Sequence, residues 1–300
     1  MQALLTQAID YAGLFPPCEL ALETAMKNHR SYVDSNDAWM LSSFVLPVAK
    51  FSAAALCFGQ FDPQHPLRIS ALAARSENRS DFVGKLPATF EAIRKVWSDN
   101  VPGVSIVQLE IALPPDCDLD VLKFLNRAAS ELGLRVFCEA APAETERVIG
   151  LLAENNRTAK SSLGYKLRTG GVTPDAFPSS AEIARALVAA AGSGVPIKFT
   201  AGLHHPVRQF RDEVKAKMHG FLNVLGAGVL AAEHSWDQAT AIQMLDDEDA
   251  GAFGFDRDTF AWREWKIRTN AIRARRELVT SFGSCSFDEP REDLRALGLL

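Results

Sequence analysis

The sequence has no CxxC pair, and its five cysteines (Cys18, Cys57, Cys117, Cys138 and Cys285) are odd in number and widely spread. This argues against a disulfide framework and against a structural zinc site, and reduced thiols are expected. No uncharged apolar run approaches the roughly 20 residues that cross a bilayer, and the opening MQALLTQAIDYAGLF has no basic start and carries Asp10. A basic surface is missing as well. The 32 Lys+Arg stand against 37 Asp+Glu for a formal net charge of −5, with the cations scattered, so no footprint for a polyanion is evident. These absences predict a cytoplasmic protein with neither nucleic-acid nor membrane partners. No GxGxxG follows the first apolar run, which removes the dinucleotide-binding form of an open sheet, and internal repeats and low-complexity tracts are absent.

What is present is a chain of 300 residues, 47% hydrophobic and 23% charged, with 19 Gly and 15 Pro, a composition able to bury a large core. At roughly 150 residues per domain the length suggests about two, yet an α/β barrel takes about 250 as one unit, so the pattern decides. Short β-branched or apolar runs alternate with longer helical stretches. Strands are predicted at Ala8–Phe15, Met40–Val48, Leu67–Ala73, Val104–Leu113, Leu134–Ala140, Leu163–Thr169, Val195–Ala201 and Val279–Phe287. Their near-continuous apolar character marks parallel strands covered by helices on the outside. Helices are predicted at Leu20–Val33, Ala53–Gly59, Phe82–Asp99, Asp118–Leu132 and Ala143–Asn155. In a further one, Ser179 and Glu182 form a capping box before IARALVAAA and Gly192 terminates the run. About eight strands in this order predict a single closed (β/α)8 barrel, the TIM-barrel fold, over residues 1–300. No strand is evident from Pro206 to Leu278, so 207–278 is expected to be a helical insertion before the last strand, serving as a lid or as a contact in a homo-oligomer.

In such a barrel the reactive groups stand at the C-terminal ends of the strands. The strand ending GYKLRTGG carries Lys166 and Arg168 two apart, hence on one side, and VPIKFTAG carries Lys198 in a similar position. Three cations are expected to face one cavity. An unpaired ammonium in a core strand loses several kcal/mol of solvation, so the placement needs a reason. One reading makes Lys166 and Lys198 barrel salt bridges to Glu139 and Glu110. The other makes them functional, since perturbed ionisable groups cluster at active sites. A second ammonium and a guanidinium nearby disfavour protonation of the first amine. Bringing a lysine from about 10.4 to near 7 asks about 4 to 5 kcal/mol of its neighbours, and a neutral amine can attack a carbonyl to form a Schiff base.

These segments resemble the class I aldolase family of TIM barrels, in particular the deoxyribose-phosphate aldolase group. IDYAGLFPP is similar to that family's opening strand, VQLEIAL to the strand bearing its acidic proton shuttle, and VFCEA to the following strand. GYKLRTGG is similar to its Schiff-base strand, VPIKFTAG to its second-lysine strand, and FGSCS to its final phosphate loop. The resemblance implies Lys166 as the imine-forming nucleophile, Lys198 as the neighbour that lowers its pKa, and Glu110 in place of the shuttle aspartate. It also implies that Thr169, Gly170, Gly202, Gly283, Ser284 and Ser286 line the ligand's anionic end. Glu139 joins the catalytic set and Thr200 the substrate-binding set. The chain departs from the family at Glu110, at Arg168 in place of a small hydroxyl residue, at His204-His205-Pro206 and in its longer final crossover. Arg168 offers a fork suited to carboxylate or phosphate, so the expected substrate is a small anionic carbonyl compound, a keto acid or a sugar phosphate. No cofactor is implied.

A rival constellation is histidine-based. His204 and His205 follow the Lys198 strand, and His219 and Asn223 lie four apart on one helix face, so all could overlook the barrel mouth. With Glu110 or Glu139 they define a metal-assisted or acid/base isomerase or hydrolase, although their spacing matches no named metal motif. As substrate-binding groups they would hydrogen-bond the ligand. A third reading is a non-catalytic small-molecule-binding barrel. GAG within FLNVLGAGVLAA is expected to mark close helix packing, DDED at 246–249 a solvated turn, and Phe260, Trp262 and Trp265 helix packing or a lid. Cys285 is expected to be buried and inert rather than a nucleophile.

Overall fold

The computed structural model describes all 300 residues. The runs predicted as strands form β1 (Ile9–Tyr11), β2 (Leu41–Pro47), β3 (Leu67–Leu72), β4 (Val104–Ala112), β5 (Arg135–Glu139), β6 (Leu163–Arg168) and β7 (Ile197–Thr200). The insertion contributes β8 (Gln209–Arg211), β9 (Ala216–Met218), β10 (Phe253–Phe255), β11 (Thr259–Trp262) and β12 (Trp265–Arg268), and β13 (Val279–Ser284) completes the set. β1 to β7 and β13 close a barrel in the order β1-β13-β7-β6-β5-β4-β3-β2, every pair parallel. The fold is therefore a (β/α)8 TIM barrel.

Local chemistry explains where the crossover helices begin. Asn78 accepts from the Asp81 amide at 3.0 Å ahead of the helix Arg79–Ser98, and Asp118 accepts from Val121 at 3.0 Å ahead of Leu119–Glu131. The capping box is formed: the Ser179 amide donates to Glu182 at 2.8 Å while the Glu182 amide donates to Ser179 Oγ at 3.3 Å. The helix Ser180–Ser193 ends at Gly194, with φ +65°, rather than at Gly192, because the left-handed turn falls a full helical turn beyond the last buried stripe residue, Ala190. The opening strand is shorter than predicted, since Gly13, Pro16 and Pro17 turn the chain away after Tyr11.

The expectation of a wholly helical insertion is corrected. Alongside the helices Phe221–His234, Gln238–Leu245 and Thr269–Arg275, residues 207–278 hold an antiparallel β8–β9 pair and a three-stranded antiparallel sheet, β10-β11-β12. These strands are three or four residues long, too brief for a period-two pattern to stand out. In β11, Phe260 and Trp262 turn inward while Thr259 and Ala261 lie half-buried, so these aromatics pack from a sheet, not from a helix. The DDED segment is also corrected: Asp247 is buried and accepts from Trp262 Nε1 at 2.8 Å and Arg263 Nε at 3.0 Å. The GAG glycines do serve packing. A Cβ on Gly226 would lie 2.4 Å from Met244 Cε, and one on Gly228 2.9 Å from Val279 Cγ1.

His29 is buried in an aromatic cage, its ring 6.1 Å from Tyr11, 5.4 Å from Phe44 and 6.1 Å from Phe61, with no partner on Nδ1. Burial pushes its pKa down to about 3 from an ordinary 6.5. The unfolded chain therefore takes up a proton here that the folded one refuses. The stability due to neutral His29 is complete above pH 6.5 and is lost as pH falls towards 3, at up to about 1.4 kcal/mol per pH unit. Urea unfolding at a series of pH values should show this slope, and His29→Phe should flatten it. An unchanged slope in that variant would rule the assignment out.

Candidate active site

The barrel interior holds a continuous layer of charge. Glu139 on β5 sits beside Lys166 on β6, which sits beside Lys198 on β7, as directly opposed strand neighbours. Lys166 Nζ lies 2.7 Å from Glu110 Oε2 and 3.1 Å from Glu139 Oε2. Lys198 Nζ donates to Glu110 Oε1 at 2.5 Å and to Asp10 Oδ2, on β1, at 2.8 Å. Glu110 thus gives one carboxylate oxygen to each amine. Arg75 reaches Glu139 Oε1 at 2.6 Å from the solvent side. Three carboxylates face two ammoniums and one guanidinium, so the layer is formally neutral.

A second tier of neutral groups holds these charges in place. Ser70 Oγ donates to Glu110 Oε1 at 2.7 Å, and Ser43 and Ser281 donate to Asp10 at 2.5 and 2.6 Å. Gln108 Nε2 donates to Ser70 Oγ at 2.9 Å and to Asp10 Oδ2 at 3.3 Å. The face of Phe137 lies 5.5 Å from Lys198 Nζ. Asp10, Glu110, Lys166 and Lys198 are all at most 5% exposed. Burial alone would raise the Glu110 pKa, but the pairing with Lys166 and Lys198 outweighs it and holds the carboxyl well below the usual range. Burial alone would likewise lower Lys198, but Asp10 and Glu110 hold it above its ordinary value. The expectation that the two amines confront each other across a shared cavity is corrected, because a carboxylate lies between them.

A cleft of about 730 Å³ opens at the C-terminal ends of β4, β5 and β6, with Glu139 in its wall. Arg75, Arg147, Arg168 and Arg185 bring four guanidiniums to it. Arg75 and Arg147 are engaged by Glu139 and Glu144. Arg168 reaches only the Gly170 carbonyl, at 3.5 Å, and Arg185 lies near Glu182 without closing an ion pair. Arg168 is exposed whereas Lys166 and Lys198 are buried. The three cations therefore do not face one cavity: the amines lie within the barrel and the guanidinium stands at its rim.

The other predicted residues fall into two groups. Near the mouth, Thr169 Oγ1 donates to the Thr200 carbonyl at 3.2 Å and the Ala201 carbonyl at 2.5 Å. Gly170 and Gly202 bring two backbones together: a Cβ on Gly202 would lie 2.8 Å from Gly170 Cα, and its φ of +75° also favours glycine. Gly283 is opposite Asp10 in the β1–β13 pairing, and a Cβ there would come 3.4 Å from Thr200 Oγ1. Ser284 Oγ accepts from the Ser286 amide at 3.4 Å and Ser286 Oγ from the Glu289 amide at 3.1 Å. The histidine constellation is divided. His204 Nδ1 lies 2.8 Å from Glu289 and His205 Nδ1 2.6 Å from Asp293, both on the helix Asp288–Ala296. His219 bridges Arg208 at 3.0 Å and the Pro178 carbonyl at 2.7 Å, and Asn223 Nδ2 donates to the Met244 and Asp247 carbonyls. No three His, Cys, Asp or Glu side chains gather into a metal-holding group.

Cys285 is buried beside the exposed Cys18, Sγ to Sγ 2.8 Å, which joins the loop after β1 to the end of β13. Hydrogen peroxide is expected to couple them, the two thiols giving up two protons and two electrons to yield one disulfide and two waters. Thiol counting should fall by two with a Cys18–Cys285 peptide recovered by mass spectrometry. Five free thiols after treatment would refute it.

Asp10, Ser43, Ser70, Gln108, Ser281 and Arg75 escaped the reading of site residues. The signal available was polar residues at inward positions of otherwise apolar strands, such as the single acid in AIDYAGLF and the glutamine two before Glu110. No family model matches the chain, and no curated protein matches it either. Fold and geometry define the class, a (β/α)8 barrel with helices and small sheets inserted before its last strand, an architecture that often carries enzymes. No helix is long and apolar enough to cross a membrane.

Proposed function

We propose that the chain is a lysine-dependent, Schiff-base-forming lyase of the aldolase type that acts on a small anionic carbonyl compound. The observation that carries this reading is the placement of Lys166 Nζ between Glu110 and Glu139, with Glu139 itself in the wall of the arginine-bearing cleft. Lys166 is taken as the nucleophile because its partner Glu139 lines the cleft, whereas Lys198 is sealed against Asp10 and Phe137. A buried ion network stabilises a fold poorly for the desolvation it demands, so such a layer inside a barrel, with one member in a cleft wall, favours chemistry over scaffolding.

Lys166 gives a proton to a hydrogen-bonded carboxylate, and its lone pair forms a C–N bond to the substrate carbonyl carbon. The carbinolamine hydroxyl takes a proton and leaves as water. The protonated imine then draws in the electron pair of the adjacent breaking C–C bond, while the departing fragment's hydroxyl proton passes to a carboxylate. The enamine regains a proton at carbon, and water releases the product from the amine. Lys198, kept protonated by Asp10 and Glu110, fixes the Glu110 carboxylate against Lys166. Arg168 and Arg185 hold the substrate's anionic group.

Borohydride reduction in the presence of aldehydes, keto acids and sugar phosphates, followed by peptide mapping, tests this. A reduced adduct on Lys166 is expected with at least one anionic carbonyl compound. Its absence across the panel would overturn the imine scheme, and turnover without adduct would point to acid/base chemistry.

A further inference from the structure

The opposite end of the barrel carries a second basic site. A recess of about 330 Å³ at the N-terminal ends of the strands brings together Arg68 of β3, Arg135 of β5, and Arg273 and Arg276 beside the short helix Thr269–Arg275. Glu277 is the one carboxylate in its lining, so four guanidiniums face a single negative charge on a chain whose net charge is −5. None of the four closes an ion pair. Arg276 is spent on carbonyls, donating to Leu4, Val279 and Thr280, and so is fixed in place. Arg135 rests over the Phe137 ring at 5.6 Å. Arg68 and Arg273 make no side-chain hydrogen bond, and Arg68 Nε is buried with no partner. A buried donor left unmatched costs about 1–3 kcal/mol, and like charges gathered without a counter-charge repel, so the arrangement is complete only when an anion enters.

We infer that this recess binds a small phosphorylated anion. Planar guanidinium forks match phosphate oxygens in pairs, and the recess is the size of a small-molecule pocket. Gln108 and Ser281 line the same recess and hydrogen-bond Asp10, so the site lies one side-chain layer from Lys198. It is separate from the mouth cleft and does not depend on the lyase reading.

Inorganic pyrophosphate is the probe, titrated calorimetrically into the full chain carrying Arg168→Gln and Arg185→Gln, so that the two mouth arginines without an ion pair cannot respond. Saturable binding is expected, weakened about tenfold or more by adding Arg273→Gln, whose exposed side chain can change without disturbing the fold, and again by Arg68→Gln. Two results would overturn the inference: no saturable heat beyond that of sodium chloride at equal ionic strength, or equal affinity with and without Arg68 and Arg273.

Discussion

Glu110→Gln is expected to destabilise the fold by about 3–5 kcal/mol near neutral pH, the range seen when one partner of a buried ion pair is removed. The side chain keeps its shape, so the loss is electrostatic: each amine retains one carboxylate, Asp10 for Lys198 and Glu139 for Lys166, and the layer acquires a net positive charge. The difference from wild type should shrink in acid. With the Glu110 carboxyl held below its ordinary 4.5 in the folded state, its contribution is complete above that pH and is lost as pH falls towards the folded value. Urea unfolding from pH 7 downward reads both. A variant as stable as wild type at pH 7 would show that the carboxylate does not hold the two amines. Adding Lys198→Met to Glu110→Gln should recover part of the loss, since the layer returns to formal neutrality.

The second large effect concerns chemistry. Lys166→Met is expected to abolish the trapped adduct and to lower kcat/KM at least about a thousandfold, because it removes the amine paired with the cleft-wall carboxylate Glu139. Lys198→Met should leave adduct formation at Lys166 detectable but slow it by about a hundredfold, since it removes the fixed charge and frees Glu110 on one side. The contrast between the two variants is diagnostic. If Lys198→Met loses the adduct and Lys166→Met keeps it, the assignment of nucleophile is reversed. If both retain full turnover, imine chemistry is excluded.

The barrel was legible because parallel strands buried on two faces read as unbroken apolar runs, and the helices between them announce themselves by caps such as Ser179 and Asp118. Lys166, Lys198, Glu110 and Glu139 were legible for the complementary reason, that charge inside such runs is conspicuous. The pairs Lys166–Glu139 and Lys198–Glu110, one of the two sequence readings, are both formed; what the sequence did not disclose is that Glu110 spans both amines and that Asp10 joins them. Asp10 lies 188 positions from Lys198, and only closure of β1 onto β13 brings it near. The short strands of the insertion were hidden by their length. The histidines part company: His204 and His205 pair with Glu289 and Asp293 of the helix that follows β13, a partnership from far along the chain, while His219 turns to Arg208 and the Pro178 carbonyl.

The polar layer also acts as a check on how the ring is assembled. A slip of one position along β4, β6 or β7 would rotate Glu110, Lys166 or Lys198 from the lumen to the outer wall, where the packed helix faces are mainly apolar. An all-aliphatic lumen would tolerate such an error with modest loss, whereas here any misaligned strand strands a bare ion, so wrongly threaded rings are penalised far more than the correct one is rewarded.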